Sequence, residues 1–201
     1  MGESGSGKST SLRNFEPEEI GIFNVASKPL PFRKKLMTMN NATYGRILKS
    51  LASPKLKAYA IDDSQYLMAF ASFDRAKETG YGKFTDFALD FRNLIKYIVE
   101  QTPQDCIVYF LHHTETSDAG KIKAKTIGKM LDSQLTVEGL FSIVLLCEAS
   151  NEGHYFLTHS DGFTTAKSPM GMFEEKIDND LKFVDSAIRD YWQLGEENEH
   201  G

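Results

Sequence analysis

The chain has 201 residues and carries 28 acidic against 23 basic side chains, for a formal net charge of −5. Hydrophobic residues make up 41% and charged residues 25%, as in an ordinary globular domain that buries a core without disulfides. No apolar run approaches the ~20 residues of a membrane-spanning helix, and the net charge argues against a protein that coats nucleic acid over its whole surface, although not against a local basic groove. We therefore expect a cytoplasmic protein without a membrane partner. One domain would span residues 1–194, with a flexible acidic tail at 195–201.

The chain opens with a glycine-rich segment that matches G-x-x-x-x-G-K-[ST] at every fixed position: Gly2-Glu3-Ser4-Gly5-Ser6-Gly7-Lys8-Ser9. Glycines let successive backbone N–H groups turn towards phosphate oxygens, and a helix predicted to start after the loop presents its positive end to the same anion. We predict that residues 2 to 10, ending at Thr10, bind ATP. Lys8 would contact the β- and γ-phosphates, and the Ser9 hydroxyl would bind Mg²⁺.

Strand and helix patterns alternate along the rest of the chain. The predicted strands lie at 19–26, 56–61, 106–111, 141–147 and 155–157, and the predicted helices at 43–52, 64–77, 84–99, 127–140 and 177–192. The last helix is expected to bury Leu181, Val184, Ile188 and Trp192. Such alternation predicts an α/β fold with a mostly parallel sheet covered by helices on both faces.

An apolar strand at 56–61 ends in two adjacent carboxylates, Asp62 and Asp63. This pattern has the form of a Walker B element, whose acid lies beside the phosphate loop and holds Mg²⁺ through its water shell. Asp62 is predicted to take that role, and Asp63 is the candidate that orients or activates the attacking water. The alternative is that both acids cap a loop or the helix that starts at Ser64.

A P-loop normally follows a central hydrophobic strand, yet only Met1 precedes Gly2. We therefore expect that first strand to be missing from this chain. Its loss would leave both neighbouring strands unpaired and their backbone groups exposed.

Further segments extend the pattern: Ala60-Ile61-Asp62-Asp63-Ser64-Gln65, Leu111-His112-His113-Thr114 and Thr164-Thr165-Ala166-Lys167-Ser168-Pro169. Together with the glycine-rich loop, they make residues 2 to about 173 resemble the phage-encoded P-loop ATPases of the RecA-like group, which are associated with single-strand annealing and recombination. The resemblance implies a RecA-like sheet. The chain departs from the group in its missing first strand and in lacking the glutamate that bacterial recombinases carry near Ala26-Ser27, so the identity of the base stays open.

The resemblance implies a γ-phosphate sensor at the end of the strand at 106–111, which is the fourth strand when the missing first one is counted. His113 is the first choice and His112 the second, because only one of two adjacent strand residues can face the nucleotide. The alternative is a surface pair of histidines.

Two basic segments are candidates for contacts with single-stranded DNA. The loop after the sensor, which matches the DNA-binding loop of RecA-like proteins in position, carries Lys121, Lys123 and Lys125. A cluster around two prolines holds Lys28, Arg33, Lys34 and Lys35, and could equally contact a neighbouring subunit. Both segments also fit solvated charged loops.

Lys167 is a candidate catalytic cation that reaches the γ-phosphate of an adjacent subunit, as an arginine finger does, so that hydrolysis would require a homo-oligomer.

Three functions are compatible with these patterns. The first is an ATPase that acts as an oligomer on single-stranded DNA in phage recombination. The second is a nucleotide switch without turnover, such as a helicase loader. The third is a small-molecule kinase, which is disfavoured because Arg189 is the only arginine after Arg92, whereas such kinases carry an arginine-rich lid.

Overall fold

The computed structural model describes residues 1–80, 82–127 and 136–195. The strands, in chain order, are β1 (Ile20–Asn24), β2 (Met37–Asn40), β3 (Ala58–Asp62), β4 (Ile107–Leu111), β5 (Thr114–Thr116), β6 (Ile122–Ala124), β7 (Leu146–Ser150), β8 (Gly153–Leu157) and β9 (Lys176–Asp178). The α-helices are α1 (Tyr44–Leu51), α2 (Tyr66–Asp74), α3 (Gly82–Gln101) and α4 (Leu181–Trp192), and two 3-10 helices cover Ser9–Asn14 and Val137–Leu140.

The central sheet has four strands in the order β2-β1-β3-β4, and all of its pairs are parallel. Strands β1 and β3 lie inside this sheet and every one of their residues is buried. This explains their near-continuous apolar sequences, since a parallel strand covered on both faces has no solvent side. The predicted α/β architecture, with a parallel sheet flanked by helices, is confirmed.

Alternate residues of the inner strands supply two separate cores. Ile20 and Ile22 of β1 pack into a cluster with Phe15, Val184 and Ile188, on the face covered by the first 3-10 helix and α4. Phe23 of β1 and Ile61 of β3 instead join a cluster with residues of α1, α2 and α3, including Ile47, Leu67 and Leu94. Because side chains alternate between the faces of a strand, one short apolar strand serves both cores.

Two small antiparallel sheets accompany the central one. Strands β5 and β6 form a hairpin, and β7, β8 and β9 form a three-stranded sheet. The segment 114–125, which we predicted to be a loop after residue 113, is therefore this hairpin. The strand predicted at 141–147 begins only at Leu146, after an isolated bridge between Val144 and Lys167.

Several helices differ from their predicted form. The segment after the glycine-rich loop is a six-residue 3-10 helix, so a long α-helix does not follow the phosphate loop. Helix α4 starts at Leu181, because the Asp180 carboxylate caps it by accepting from the N–H groups of Lys182 and Phe183. Trp192 was predicted to be buried but is 42% exposed.

Part of the helix predicted at 127–140, residues 128–135, lies outside the described residues, as does most of the predicted acidic tail, 196–201. Within the described residues, no helix is both long enough and apolar enough to cross a membrane.

Met1 and Gly2 lie between the end of β4 and the start of β7. The Gly2 N–H donates to His112 O at 3.0 Å and Gly2 O accepts from Thr114 N at 3.3 Å, which is a parallel bridge to β4. On the other side, the Met1 nitrogen donates to Leu145 O at 2.7 Å and Met1 O accepts from Cys147 N at 2.7 Å. These two residues connect the central sheet to the three-stranded sheet.

Candidate functional site

The glycine-rich loop and the predicted polar residues meet at one edge of the central sheet. The carboxyl ends of β1, β3 and β4 lie side by side in register, with Asn24 opposite Asp62 and Asp62 opposite Leu111. The bridge from Gly2 to His113 brings the loop to the same edge. In open parallel sheets, ligands bind outside the carboxyl ends of the strands, so the site lies where this fold class places one.

Two glycines of the loop occupy conformations or spaces that a side chain would not tolerate. Gly7 has a φ of +100°, and a Cβ there would lie 2.6 Å from the ring of His154. A Cβ on Gly2 would lie 2.5 Å from both Cys147 O and Ser6 Oγ. The loop therefore passes against β7 and β8 at a distance that only glycine permits.

The loop presents unused hydrogen-bond donors. The N–H groups of Gly5, Gly7 and Lys8 donate no hydrogen bond to any described residue, and Ser6 Oγ is buried with no partner among those residues. Backbone N–H groups of a glycine-rich loop that have no partner are available to an anion. A phosphate that entered the loop would give these groups a partner.

Lys8 is buried at the base of the loop. Its Nζ donates to Gly2 O at 2.9 Å and to Glu3 O at 2.7 Å, and burial lowers its pKa. The ammonium is thus held by neutral carbonyls of its own loop and forms no ion pair with a carboxylate in the part of the chain that the structure describes. Such a cation is electrostatically available to an anion that enters the loop.

Ser9 and Asp62 are in direct contact, since Ser9 Oγ donates to Asp62 Oδ1 at 2.8 Å. Asp62 is 5% exposed, and burial raises its pKa. A buried carboxylate whose charged form is disfavoured by its surroundings gains from a nearby cation. The structure brings the two predicted metal ligands together.

Asp63 is oriented differently because its backbone is in the left-handed region, with φ of +57°. Its Oδ2 accepts from Lys28 Nζ at 2.8 Å and its Oδ1 lies 3.1 Å from His113 Nε2. Lys28 also lies over the ring of Tyr66, 5.1 Å from its centroid. Although burial opposes it, hydrogen bonding to His113 and Lys28 lowers the pKa of Asp63 to about 2.

The two adjacent acids are therefore suited to different tasks. Asp63 stays charged and is held between two side chains, so it can orient a group but is a weak proton acceptor. Asp62 is buried beside a hydroxyl, and its charge is stabilised most by a cation. Opposite pKa shifts in neighbouring carboxylates are typical of functional sites.

His112 points away from this site into the protein. Its Nε2 lies 2.7 Å from Lys125 O and its Nδ1 lies 2.9 Å from Ser64 Oγ, and its ring packs against Phe91. Burial lowers the pKa of His112 to about 4. Of the pair, His113 lies beside Asp63, and its role as a γ-phosphate sensor stays a prediction.

The oxygen ligands at this site fit Mg²⁺ better than a metal ion whose ligands all come from protein side chains. Among the described residues, no group of three or more His, Cys, Asp and Glu side chains could hold a metal ion. Ser9 and Asp62 offer two oxygen ligands beside the loop. Mg²⁺ usually keeps several waters and takes one or two side-chain oxygens together with phosphate oxygens, so this small set suits it.

The predicted DNA-binding residues are divided. Lys121 and Lys125 are exposed on the β5–β6 hairpin, whereas Lys123 pairs with Glu115 at 3.1 Å. In the proline-containing loop, Arg33 and Lys35 are exposed, while Lys34 pairs with Glu16 at 2.9 Å. The four exposed cations therefore belong to two separate segments: two of them lie on the hairpin, and the other two lie in the loop after β1.

Lys167 is held through its backbone, which exchanges two 2.8 Å hydrogen bonds with Val144. Its side chain forms no hydrogen bond or ion pair with another described residue. It is half-buried. A role across a subunit interface stays a prediction.

Two residues of the site were missed from the sequence. Lys28 was assigned only to the basic loop, although its position four residues after β1 puts it at the same sheet edge as Asp63. His154 packs against Gly7 because β8 folds back along β7, and no sequence pattern indicates that long-range contact. No protein-family model matches this chain, and no curated protein matches it either.

Proposed function

We propose that this protein is a P-loop ATPase that binds ATP with Mg²⁺ and hydrolyses it. The observation that carries the proposal is the meeting of three features at one sheet edge: a loop with unpaired N–H donors, the buried Lys8 and the 2.8 Å contact of Ser9 with Asp62. A triphosphate needs backbone donors, a cation and a magnesium-binding oxygen pair at the spacing this motif provides.

Each residue has a separate part in the proposal. Residues 2–10 bind the phosphates through backbone N–H groups, and Lys8 exchanges its carbonyl acceptors for phosphate oxygens. Ser9 and Asp62 hold Mg²⁺, which when bound supplies positive charge to the phosphates. His113 and Lys28 fix Asp63, which accepts a hydrogen bond from the attacking water and orients it.

The test is steady-state ATP hydrolysis with Mg²⁺ by the wild type, Lys8→Ala and Lys49→Ala. Lys49 is an exposed lysine on α1 and serves as a matched control for the loss of one positive charge. We expect Lys8→Ala to lower turnover by about 100-fold or more, the size seen when a transition-state donor is removed, and Lys49→Ala to behave as the wild type. Equal rates in all three proteins would contradict the proposal.

A nucleotide switch without turnover is the second candidate, and the low pKa of Asp63 favours it. A carboxylate with a pKa of about 2 accepts a proton poorly. Equilibrium binding of a fluorescent ATP analogue distinguishes the two functions. Tight binding that depends on Lys8, with no hydrolysis, would identify the switch.

Single-stranded DNA and a homo-oligomer belong to the proposal through the resemblance to RecA-like ATPases of phage recombination. The exposed Lys121 and Lys125 support it, because the hairpin that carries them begins directly after His113. We expect a single-stranded oligonucleotide to stimulate hydrolysis, and Lys121→Ala with Lys125→Ala to remove the stimulation but keep the basal rate. If Lys167 acts between subunits, Lys167→Ala lowers the rate of the assembled oligomer, and an unchanged rate removes that role.

A further inference from the structure

One face of the β7–β8 hairpin lies directly against the phosphate loop. Cys147 Sγ donates to Ser6 O at 3.0 Å, and a Cβ on Gly7 would lie 2.6 Å from the ring of His154. Side chains alternate between the two faces of a strand, and directly paired residues share a face. Because His154 pairs with Ala149, two residues after Cys147, the imidazole and the thiol are both on the face that meets the loop.

The imidazole of His154 covers the loop without being held there by hydrogen bonds. Its ring nitrogens bond to no other described residue, and the side chain is exposed, whereas Gly7 beneath it is buried. The residue directly opposite on β7 is Ala149, whose side chain is a single methyl group. The ring therefore keeps a surface in solvent, immediately beside the loop.

The contact between Ser9 and Asp62 indicates the direction in which a bound nucleotide would run. These two residues are the magnesium ligands of the proposed site, and the metal bridges the β- and γ-phosphates, so the γ-phosphate end lies towards β3. The loop itself lies between β4, which Gly2 bridges, and the β7–β8 hairpin. The nucleoside is attached at the α-phosphate, the other end of the chain, and would leave the loop towards β8 and His154.

An aromatic ring at the nucleoside end of a phosphate site suits a nucleobase. Every base has a flat π-face that stacks on aromatic side chains. The next residue of β8, Tyr155, points to the other face of the hairpin, where its hydroxyl donates to Glu148 at 2.8 Å. His154 is therefore the aromatic residue that β8 presents to the loop.

We propose that His154 forms the nucleoside subsite: its ring stacks on the base of the bound nucleotide and distinguishes a nucleoside triphosphate from a bare triphosphate. This inference rests on the proposed binding of ATP at the loop. Stacking uses the face of the base and not the hydrogen-bonding groups on its edge, so the subsite accepts adenine and guanine alike. His154 binds the nucleotide and does not touch the reacting phosphate.

The test is calorimetric titration with Mg²⁺, in which AMP-PNP, a non-hydrolysable ATP analogue, is compared with tripolyphosphate. We expect His154→Ala to weaken AMP-PNP binding by about 5- to 100-fold, the range for one base–aromatic stack, and to change tripolyphosphate binding less than about twofold. His154→Phe keeps a ring and should bind AMP-PNP within about threefold of the wild type.

His159→Ala is the matched control, because it removes another exposed imidazole, one that bonds to Thr158 and Ser168 and not to the loop. It should bind both ligands as the wild type does. Tripolyphosphate binding that survives in a variant also shows that its loop is folded.

Equal weakening of both ligands by His154→Ala would mean that the ring supports the loop and does not contact the base. That result, or unchanged affinity for both ligands, would overturn the inference and leave the proposed phosphate site intact. If His154→Phe binds AMP-PNP as weakly as His154→Ala, the contact is not a ring stack and the inference is wrong. If the wild type binds neither ligand, the proposed function fails and this inference fails with it.

Discussion

At the scale of single residues, the site depends on two adjacent carboxylates with different backbone conformations. Asp62 is the last residue of β3, and Asp63 adopts a φ of +57°. The left-handed region is sparsely populated by side chains other than Gly, Asn and Asp. This turn directs the Asp63 carboxylate towards Lys28 and His113, while Asp62 stays against Ser9.

We predict that Asp62→Asn and Asp63→Asn affect different steps. Asp62→Asn should weaken Mg²⁺-dependent ATP binding by about 10- to 100-fold, because it removes the charged ligand. Asp63→Asn should change binding less than about threefold and lower kcat, because Asn keeps the shape but loses the charged contacts with Lys28 and His113. Calorimetric titration with and without Mg²⁺, beside turnover measurements, checks both; identical profiles for the two variants would contradict the division.

His112 should make stability depend on pH. Its pKa is about 4 in the folded protein against an ordinary value of 6.5, so between these values the unfolded chain binds more protons. The free energy of unfolding should therefore fall as pH decreases from 6.5 to 4, by about 3 kcal/mol from this one group.

His112→Gln cannot titrate, and its amide can still donate to Lys125 O. Urea denaturation at several pH values should show a flatter dependence for this variant over the same window. A parallel dependence in the two proteins would mean that His112 is not the group responsible.

At the scale of elements, the phosphate loop allows a matched comparison of two glycines. Gly5 and Gly7 have φ of +80° and +100°, but a Cβ would meet nothing within 4 Å at Gly5 and the His154 ring at Gly7. Both alanine variants carry the left-handed strain, about 1–2 kcal/mol. Gly7→Ala adds a steric clash, so we expect it to lower stability further, by roughly 1–3 kcal/mol.

The double variant Gly7→Ala with His154→Ala should recover part of the added loss but not the backbone strain, because it removes the ring while the Cβ of residue 154 stays 2.9 Å from the new Cβ. Thermal or urea denaturation of the three variants measures this difference. If His154→Ala gives no recovery, the His154 ring is not the source of the added cost at Gly7.

The strongly patterned elements were predictable from sequence. Helix α3 and the apolar strands β1, β3 and β4 follow from continuous or periodic apolar residues. Strands β2 and β9 were missed, because they are short and mostly exposed, and parallel pairing with β1 makes a strand of Met37–Asn40. The β5–β6 hairpin was taken for a loop although Lys121, Lys123 and Lys125 alternate with Ile122 and Ala124, because its two strands have only three residues each.

The site was predictable in part. Motif spacing identified residues 2–9 and Asp62, since those positions are fixed by local sequence. The Lys28 contact with Asp63 and the His154 contact with Gly7 depend on chain segments that are distant in sequence, or on the unusual φ of Asp63, and residue patterns do not encode these. Strand β7 likewise starts at Leu146 because this is the first residue that pairs with β8.

At the scale of the whole molecule, α4 is tied to the sheet at the end opposite the candidate site. The Tyr109 hydroxyl donates to Asp185 Oδ1 at 2.7 Å, and Arg189 pairs with the same carboxylate at 2.7 Å. Arg189 also donates to the backbone oxygens of Lys57 and Asp105, at the amino ends of β3 and β4. These hydrogen bonds hold α4 against the hydrophobic core between that helix and the sheet.

We predict that Tyr109→Phe lowers the free energy of unfolding by about 1.5–3 kcal/mol, the usual effect of losing a hydrogen bond to a buried charged group. ATP binding should not change, because the site is at the other end of the strands. Tyr97→Phe is the matched control, since the Tyr97 hydroxyl bonds to no other described residue. Equal stability of the two variants in urea denaturation would show that the network contributes little.

The open edge of β4 has a consequence for the behaviour of the protein in solution. Ile107-Val108-Tyr109-Phe110-Leu111 is uncharged, free of proline and glycine, and rich in residues that favour strands. Such a segment with unpaired backbone groups is a template for cross-β aggregation between chains. The solubility limit of the protein should therefore be set by how well this one edge is protected.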